Sequence, residues 1–188
     1  METFWIVIVI FIVIVVVGVF TKLMEEKKRG DIISNLTDFS AADKYISQGP
    51  GVSVALDTQR KKVCFLDKNN KPAFYNFADI LTSEIDIDGE TVLKQSVTGT
   101  LGRAIVGGVL TGGIGVLVGG LTASKKQKDK IKSINLKITV NDMSNPIYKI
   151  NFLNTEAKKG SFIYNTSYSQ VERWHGVFSA LINQNSSK

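Results

Sequence analysis

The chain has 188 residues, enough for one domain of ordinary size or two small ones, and a formal net charge of +6. One cysteine excludes a disulfide framework within the chain, and the single histidine, His175, excludes the usual zinc spacings. The charge is confined to two places: residues 22–30 carry net +2, residues 122–132 carry net +4, and the remainder balances to zero, which argues against a broad nucleic-acid-binding face.

The N-terminal 24 residues are unlike the rest, with nineteen apolar members. Phe4 to Phe20 is an uncharged run of seventeen residues in which Gly18 is the only non-bulky one. As a helix it spans about 25 Å, and roughly 30 Å with the residues to Met24, which matches a bilayer core. A lone span must satisfy its backbone internally, so helix is the form available to it. Trp5 stands at the entry, where an indole favours the headgroup zone, and Phe11 and Phe20 belong to the same lipid-facing run. A cleaved signal peptide needs a basic leader and a small-residue cleavage site; here Glu2 is the only charge before the run and no such site follows. The segment is therefore expected to be an uncleaved anchor. Lys22, Lys27, Lys28 and Arg29 follow it directly, which is expected to put the body of the chain in the cytoplasm and the N-terminus outside, with these four cations in contact with acidic headgroups. The expected topology is that of a single-pass membrane protein.

Residues 25–50 are expected to form a linker and a short amphipathic helix, with Leu36, Phe39, Ala42, Tyr45 and Ile46 at helical spacing and Gly49-Pro50-Gly51 ending it. Strands follow over 51–98. Val52, Val54 and Leu56 alternate; Val63 and Phe65 alternate after a turn at Thr58 to Lys61; Ala73 to Phe77 is aromatic. Ile85 and Ile87 alternate with Glu84, Asp86 and Asp88, and Asp88-Gly89 is a hairpin signal before the return strand at Thr91 to Val97. The alternation breaks over 99–124 and resumes within 125–188, at Ile134 to Val140 and Tyr148 to Phe152. The chain closes in a helix over about 167–183 that carries Tyr168, Val171, Trp174, Phe178, Leu181 and Ile182 on one face. The predicted class is α+β: a transmembrane helix, then a small antiparallel β-barrel or sandwich with a C-terminal helix, a plan that a pleckstrin-homology-like (PH-like) domain shares with other α+β folds.

The interruption reads LGRAIVGGVLTGGIGVLVGGLTA over 101–123. No lysine follows its glycines at the place a phosphate loop requires, and Gly113, Gly115 and Gly119 miss the dinucleotide spacing by one residue. Gly108 with Gly112, and Gly115 with Gly119, stand four apart, which on a helix clears one face for close packing of another backbone. The expected form is a glycine-zipper hairpin. Arg103 stands at one foot and Lys125, Lys126 and Lys128 at the other, facing acidic headgroups on the side where the chain's body lies. A flexible glycine-rich loop is the plainer alternative.

Little else suggests chemistry. Cys64 lies mid-strand without a partner, and the acidic run from Glu84 to Glu90 lacks the spacing of a calcium loop and is expected to line a solvated strand face. His175 is expected to be structural. Arg60-Lys61-Lys62 occupies the early hairpin where PH domains often hold phospholipid headgroups, but a solvated turn is the expected reading here.

The order of features resembles a known group: a strand pair at Gly51 to Cys64, the zipper at Gly107 to Gly120, basic residues, Ile138-Thr-Val-Asn-Asp, and a final helix with Val171-Glu-Arg-Trp-His-Gly. It is similar to small bacterial proteins, often from prophages or mobile elements, whose PH-like domain is interrupted by a glycine-zipper hairpin. The resemblance covers roughly 35–183 and carries over no catalytic residue. The anchor and the zipper, two membrane contacts without a catalytic set, point to a bacterial inner-membrane binding or scaffolding module in phage exclusion or an envelope response, with a membrane-perturbing effector that oligomerises through the zipper as the alternative. The expected partners are acidic lipids, further copies of the chain and an unidentified protein. No enzyme activity, cofactor, metal or nucleic acid is expected.

Overall fold

The computed structural model describes residues 2–49, 51–96 and 129–186. Its first element is a helix, α1, over Glu2–Ser34. It does not stop where the apolar run stops. At 33 residues it is about 50 Å long, and its last ten residues form part of the folded domain. It ends where the Asn35 amide bonds back to the Asp31 carbonyl at 3.0 Å and Asp38 turns the chain at φ 55°. The amphipathic helix expected within 25–50 is thus replaced by the end of α1 and, further on, by a short strand, β1, at Asp43–Tyr45. Tyr45 belongs to that strand's ladder, opposite Val54, so its apparent helical spacing from Leu36 is coincidental.

β2 (Ser53–Asp57), β3 (Lys62–Leu66) and β4 (Pro72–Asn76) continue from β1 as an antiparallel four-stranded sheet in chain order. A turn of 3-10 helix at Phe77–Asp79 leads to β5 (Ile80–Ile87) and β6 (Glu90–Ser96). Asp88 and Gly89, at φ 52° and 87°, make the tight turn between them that the Asp-Gly pair predicts. After a two-stranded ribbon of β7 (Lys130–Ile131) with β10 (Ala157–Lys158), the second main sheet is completed by β8 (Ile134–Val140) and β9 (Ile147–Leu153), in the order β6-β5-β8-β9. Among the described residues the two four-stranded sheets share no ladder, so the barrel is not closed and the arrangement is that of a sandwich.

Helix α2 (Phe162–Ser186) closes it, starting one turn earlier than its apolar spacing predicts. Val171, Trp174, Phe178, Leu181 and Ile182 are buried in one core with Val54, Leu56, Val63 and Phe65 of the first sheet and Ile85, Leu136, Ile138 and Ile150 of the second. Phe65 joins the layers: its ring stacks on Tyr148 at 4.2 Å and lies parallel to Phe178 at 6.3 Å. At the corner of the sheets, Tyr45 stacks on Phe152 at 4.2 Å, and its hydroxyl donates to the Asn151 carbonyl at 2.7 Å.

The first sheet is covered on both faces, which is why β2 is buried at every position. Its second face carries Ala55, Cys64 and Leu66, buried in a separate cluster with Ile33 of α1 and Phe39. The end of the apolar helix is therefore the lid of the first sheet.

Candidate functional site

The distinctive geometry lies where α1 enters the domain. Phe4 to Met24 stands clear of the protein: Phe4 is 67%, Trp5 65%, Phe11 66% and Phe20 61% exposed, and no part of its most apolar window is buried. Gly18 is exposed as well, and its carbonyl accepts the Thr21 hydroxyl at 3.0 Å, a bond inside the helix that keeps this polar group satisfied. Lys22, Lys27 and Lys28 are exposed below this stem.

Arg29 does not join them. Expected among the lipid-contacting cations, it is fully buried, and its guanidinium is spent inside the protein. Nε donates to the Asn70 side chain at 3.0 Å, Nη1 to Ser53 Oγ at 3.2 Å and the Gly49 carbonyl at 3.4 Å, and Nη2 to the Asp67 carbonyl at 2.8 Å. Ser53 Oγ also accepts the Ser47 amide at 3.0 Å. One planar fork thus ties α1 to the loop before β2, to β2 itself and to the turn between β3 and β4. Asn70 sits at φ 62°, a conformation asparagine tolerates, and this aims its amide oxygen at the arginine. Ile33, one turn on from Arg29, adds the apolar half of the joint. The expected linker is absent, because the helix passes from its exposed stem straight into the domain.

The basic hairpin between β2 and β3 is partly neutralised. Arg60 pairs with the buried Asp57 at 3.1 Å, and that carboxylate also accepts the amides of Ser40 and Arg60, so backbone hydrogen bonds hold its pKa below the usual carboxylate range. Lys61 is exposed.

The candidates for chemistry resolve as structural groups. His175 Nδ1 lies 2.9 Å from the fully buried Ser83 Oγ, and Nε2 lies 3.5 Å from Ser179 Oγ. Burial lowers the histidine to about 4, so it is a neutral ring at ordinary pH. The hydroxyl beside it is sealed in the sheet, without access for a substrate. Cys64 is buried, and its thiol is pushed up to about 12, which leaves it protonated and inert.

Nor does the acidic run line a solvated face. Glu84 is buried between Lys94 at 2.8 Å and Lys137 at 3.6 Å; burial raises its pKa, but the two lysines outweigh that and hold it below its ordinary value. Asp86 accepts from Asn135, which in turn accepts from Asn151, and Asp88 accepts the amides of Lys132 and Ser133. Among the described residues no group of three or more acidic, cysteine or histidine side chains could hold a metal ion. The zipper glycines Gly108, Gly112, Gly115 and Gly119, with Arg103, Lys125, Lys126 and Lys128, lie outside the described residues.

A family model described as a glycine zipper containing PH domain matches residues 42–154, a range that includes the whole glycine-rich segment. Two relatives are each 30% identical over 172 residues. One is an immunity protein of Bacillus phage SPbeta, aligned over 80% of this chain and 84% of its own. The other is the SPbeta prophage-derived uncharacterized membrane protein YomJ of Bacillus subtilis strain 168, aligned over 80% of this chain and 74% of its own. No solved structure matches.

Proposed function

The chain belongs to the family of glycine zipper containing PH domains, and from that premise we propose that it is a membrane-anchored PH-like binding module acting in immunity to phage. One observation carries the reading: a long helix whose apolar stem is bare, and whose lower end is built into the domain through Arg29 and Ile33. A bare stem of this composition requires lipid, and a built-in joint holds the domain at the bilayer surface. The relatives named as an immunity protein and as a membrane protein support the phage-related half of the proposal.

In this reading α1 crosses the inner membrane once, with the N-terminus outside. The domain sits on the cytoplasmic side, where Lys22, Lys27 and Lys28 meet acidic headgroups. The glycine zipper brings copies of the chain together or against the span, through Gly108, Gly112, Gly115 and Gly119. The domain offers its surface to a protein partner and performs no catalysis.

The test is a phage challenge. Bacteria expressing the full chain are plated with phages of the SPbeta type, beside cells expressing Ile10→Lys with Val13→Lys. Each central lysine costs insertion about 3 kcal/mol. The proposal expects plating efficiency to fall with the natural chain and to recover with the variant. Undiminished plating with the natural chain contradicts a role in immunity to phage, and retained immunity in the variant contradicts the need for an anchor.

A further inference from the structure

The joint at Arg29 fixes which end of the PH-like domain faces the bilayer. We propose that the turn between β3 and β4, with exposed Lys68 and Lys71, rests in the headgroup layer of the bilayer that α1 crosses and contacts acidic phospholipid headgroups there. The basic hairpin at Arg60 to Lys62 points away from that bilayer. This rests on α1 being a span.

α1 is continuous from Glu2 to Ser34, so Arg29 lies about 7.5 Å beyond Met24, the last residue of the apolar stem. The headgroup layer is about 5–8 Å deep on each side of the hydrocarbon. Side chains of a helix lean toward its N-terminus, so the guanidinium reaches back toward the bilayer from its own Cα. What it grips is the turn: the Asp67 carbonyl at 2.8 Å and the Asn70 side chain at 3.0 Å. Lys68, Asn69 and Lys71 are exposed within two residues of those contacts. The Asp67 carboxylate folds inward on the turn, accepting the Asn69 and Lys71 amides at 2.8 Å. The flexible lysine stems can lie along the interface with their ammonium groups at phosphate level.

Beyond Arg29 the chain continues along the same sheet, away from the stem. Ile33 is buried with Ala55, Cys64 and Leu66, and then the Ser40 amide reaches Asp57 at the far end of β2. From Ser53 to Asp57 is four strand steps, about 13 Å. The hairpin bearing Lys61 is that much farther from the membrane, and its Arg60 is already paired.

The experiment uses the full chain, with Cys64→Ala, in vesicles of phosphatidylethanolamine and phosphatidylglycerol. Single cysteines at Val13→Cys, Gln59→Cys and Asn69→Cys carry a fluorophore, and nitroxide lipids act as quenchers. Acyl-chain nitroxides must quench the label at 13; if they do not, α1 is not a span, and both the anchoring and this proposal fall. With that quenching present, headgroup nitroxides are expected to quench the label at 69 severalfold more than the label at 59. They are also expected to do so more strongly on phosphatidylglycerol than on phosphatidylcholine, a preference that Lys68→Glu with Lys71→Glu abolishes. Equal quenching at 59 and 69, or stronger quenching at 59, overturns the orientation while leaving the anchor intact. Equal quenching at 69 by the two lipids overturns the acidic-headgroup contact.

Discussion

Arg29 is the residue on which the account turns, and its role was hidden in the sequence. Four basic residues follow the apolar run, and composition treats them alike. What separates Arg29 is tertiary: its acceptors come from positions 49, 53, 67 and 70. The one local hint is Ile33, an apolar residue four positions on and therefore on the same helical face. Removing the guanidinium leaves buried acceptors without donors, so Arg29→Ala is expected to destabilise the full chain in detergent micelles by about 3 kcal/mol, seen as a lower urea midpoint. Arg29→Lys should recover only part of this, because an ammonium lacks the planar fork. His175 gives a second test. Its folded pKa, about 4, lies below the ordinary 6.5, so the unfolded chain takes up a proton first as pH falls. Stability is expected to be flat in this group above pH 6.5 and to decline between 6.5 and 4. A His175→Gln variant, followed by urea titration at each pH, should lose that decline.

At the scale of elements, period-two alternation was the reliable signal. It located β2, β3, β5, β8 and β9, while aromatic content located β4, the Asp88-Gly89 turn signal located β6, and helical spacing located the buried face of α2. Alternation failed where an element is short: β1 is three residues long, too few for a period to emerge. β2 is found by it even though α1 covers its second face and every position is buried. The lower end of α1 resembles a linker in the sequence because its Glu and Lys residues suit a solvated segment; only Arg29 and Ile33 of that stretch are buried. The closing helix is expected to matter most through Phe178, which is fully buried and parallel to Phe65. Phe178→Ala should cost about 3–5 kcal/mol, measured by the same denaturation, with loss of protection from protease as the corollary.

For the whole molecule, the net charge of +6 divides into +2 over residues 22–30 and +4 over residues 122–132, most of which lie outside the described residues. In the proposed anchoring, Lys22, Lys27 and Lys28 remain as the collar once Arg29 is withdrawn from it, and the proposed headgroup contact adds Lys68 and Lys71 from the otherwise neutral body. The zipper is tested at this scale too. Gly112→Leu with Gly119→Leu fills the face that close helix packing needs, so crosslinked oligomers in membranes should diminish while the chain stays in the membrane fraction. Unchanged crosslinking would remove the zipper from self-association. If the same variant abolished a depolarisation caused by the natural chain, the membrane-perturbing reading would take precedence over the binding module.

The central claim is that the bare stem of α1 crosses the membrane and holds the PH-like domain on its cytoplasmic face. The most direct measurement adds one cysteine after Lys188 in a Cys64→Ala chain and treats intact spheroplasts with a membrane-impermeant maleimide. The account predicts no labelling until the cells are lysed, followed by full labelling of a chain that stays with the membranes. Labelling of intact spheroplasts, or recovery of the chain in the soluble fraction, would contradict it.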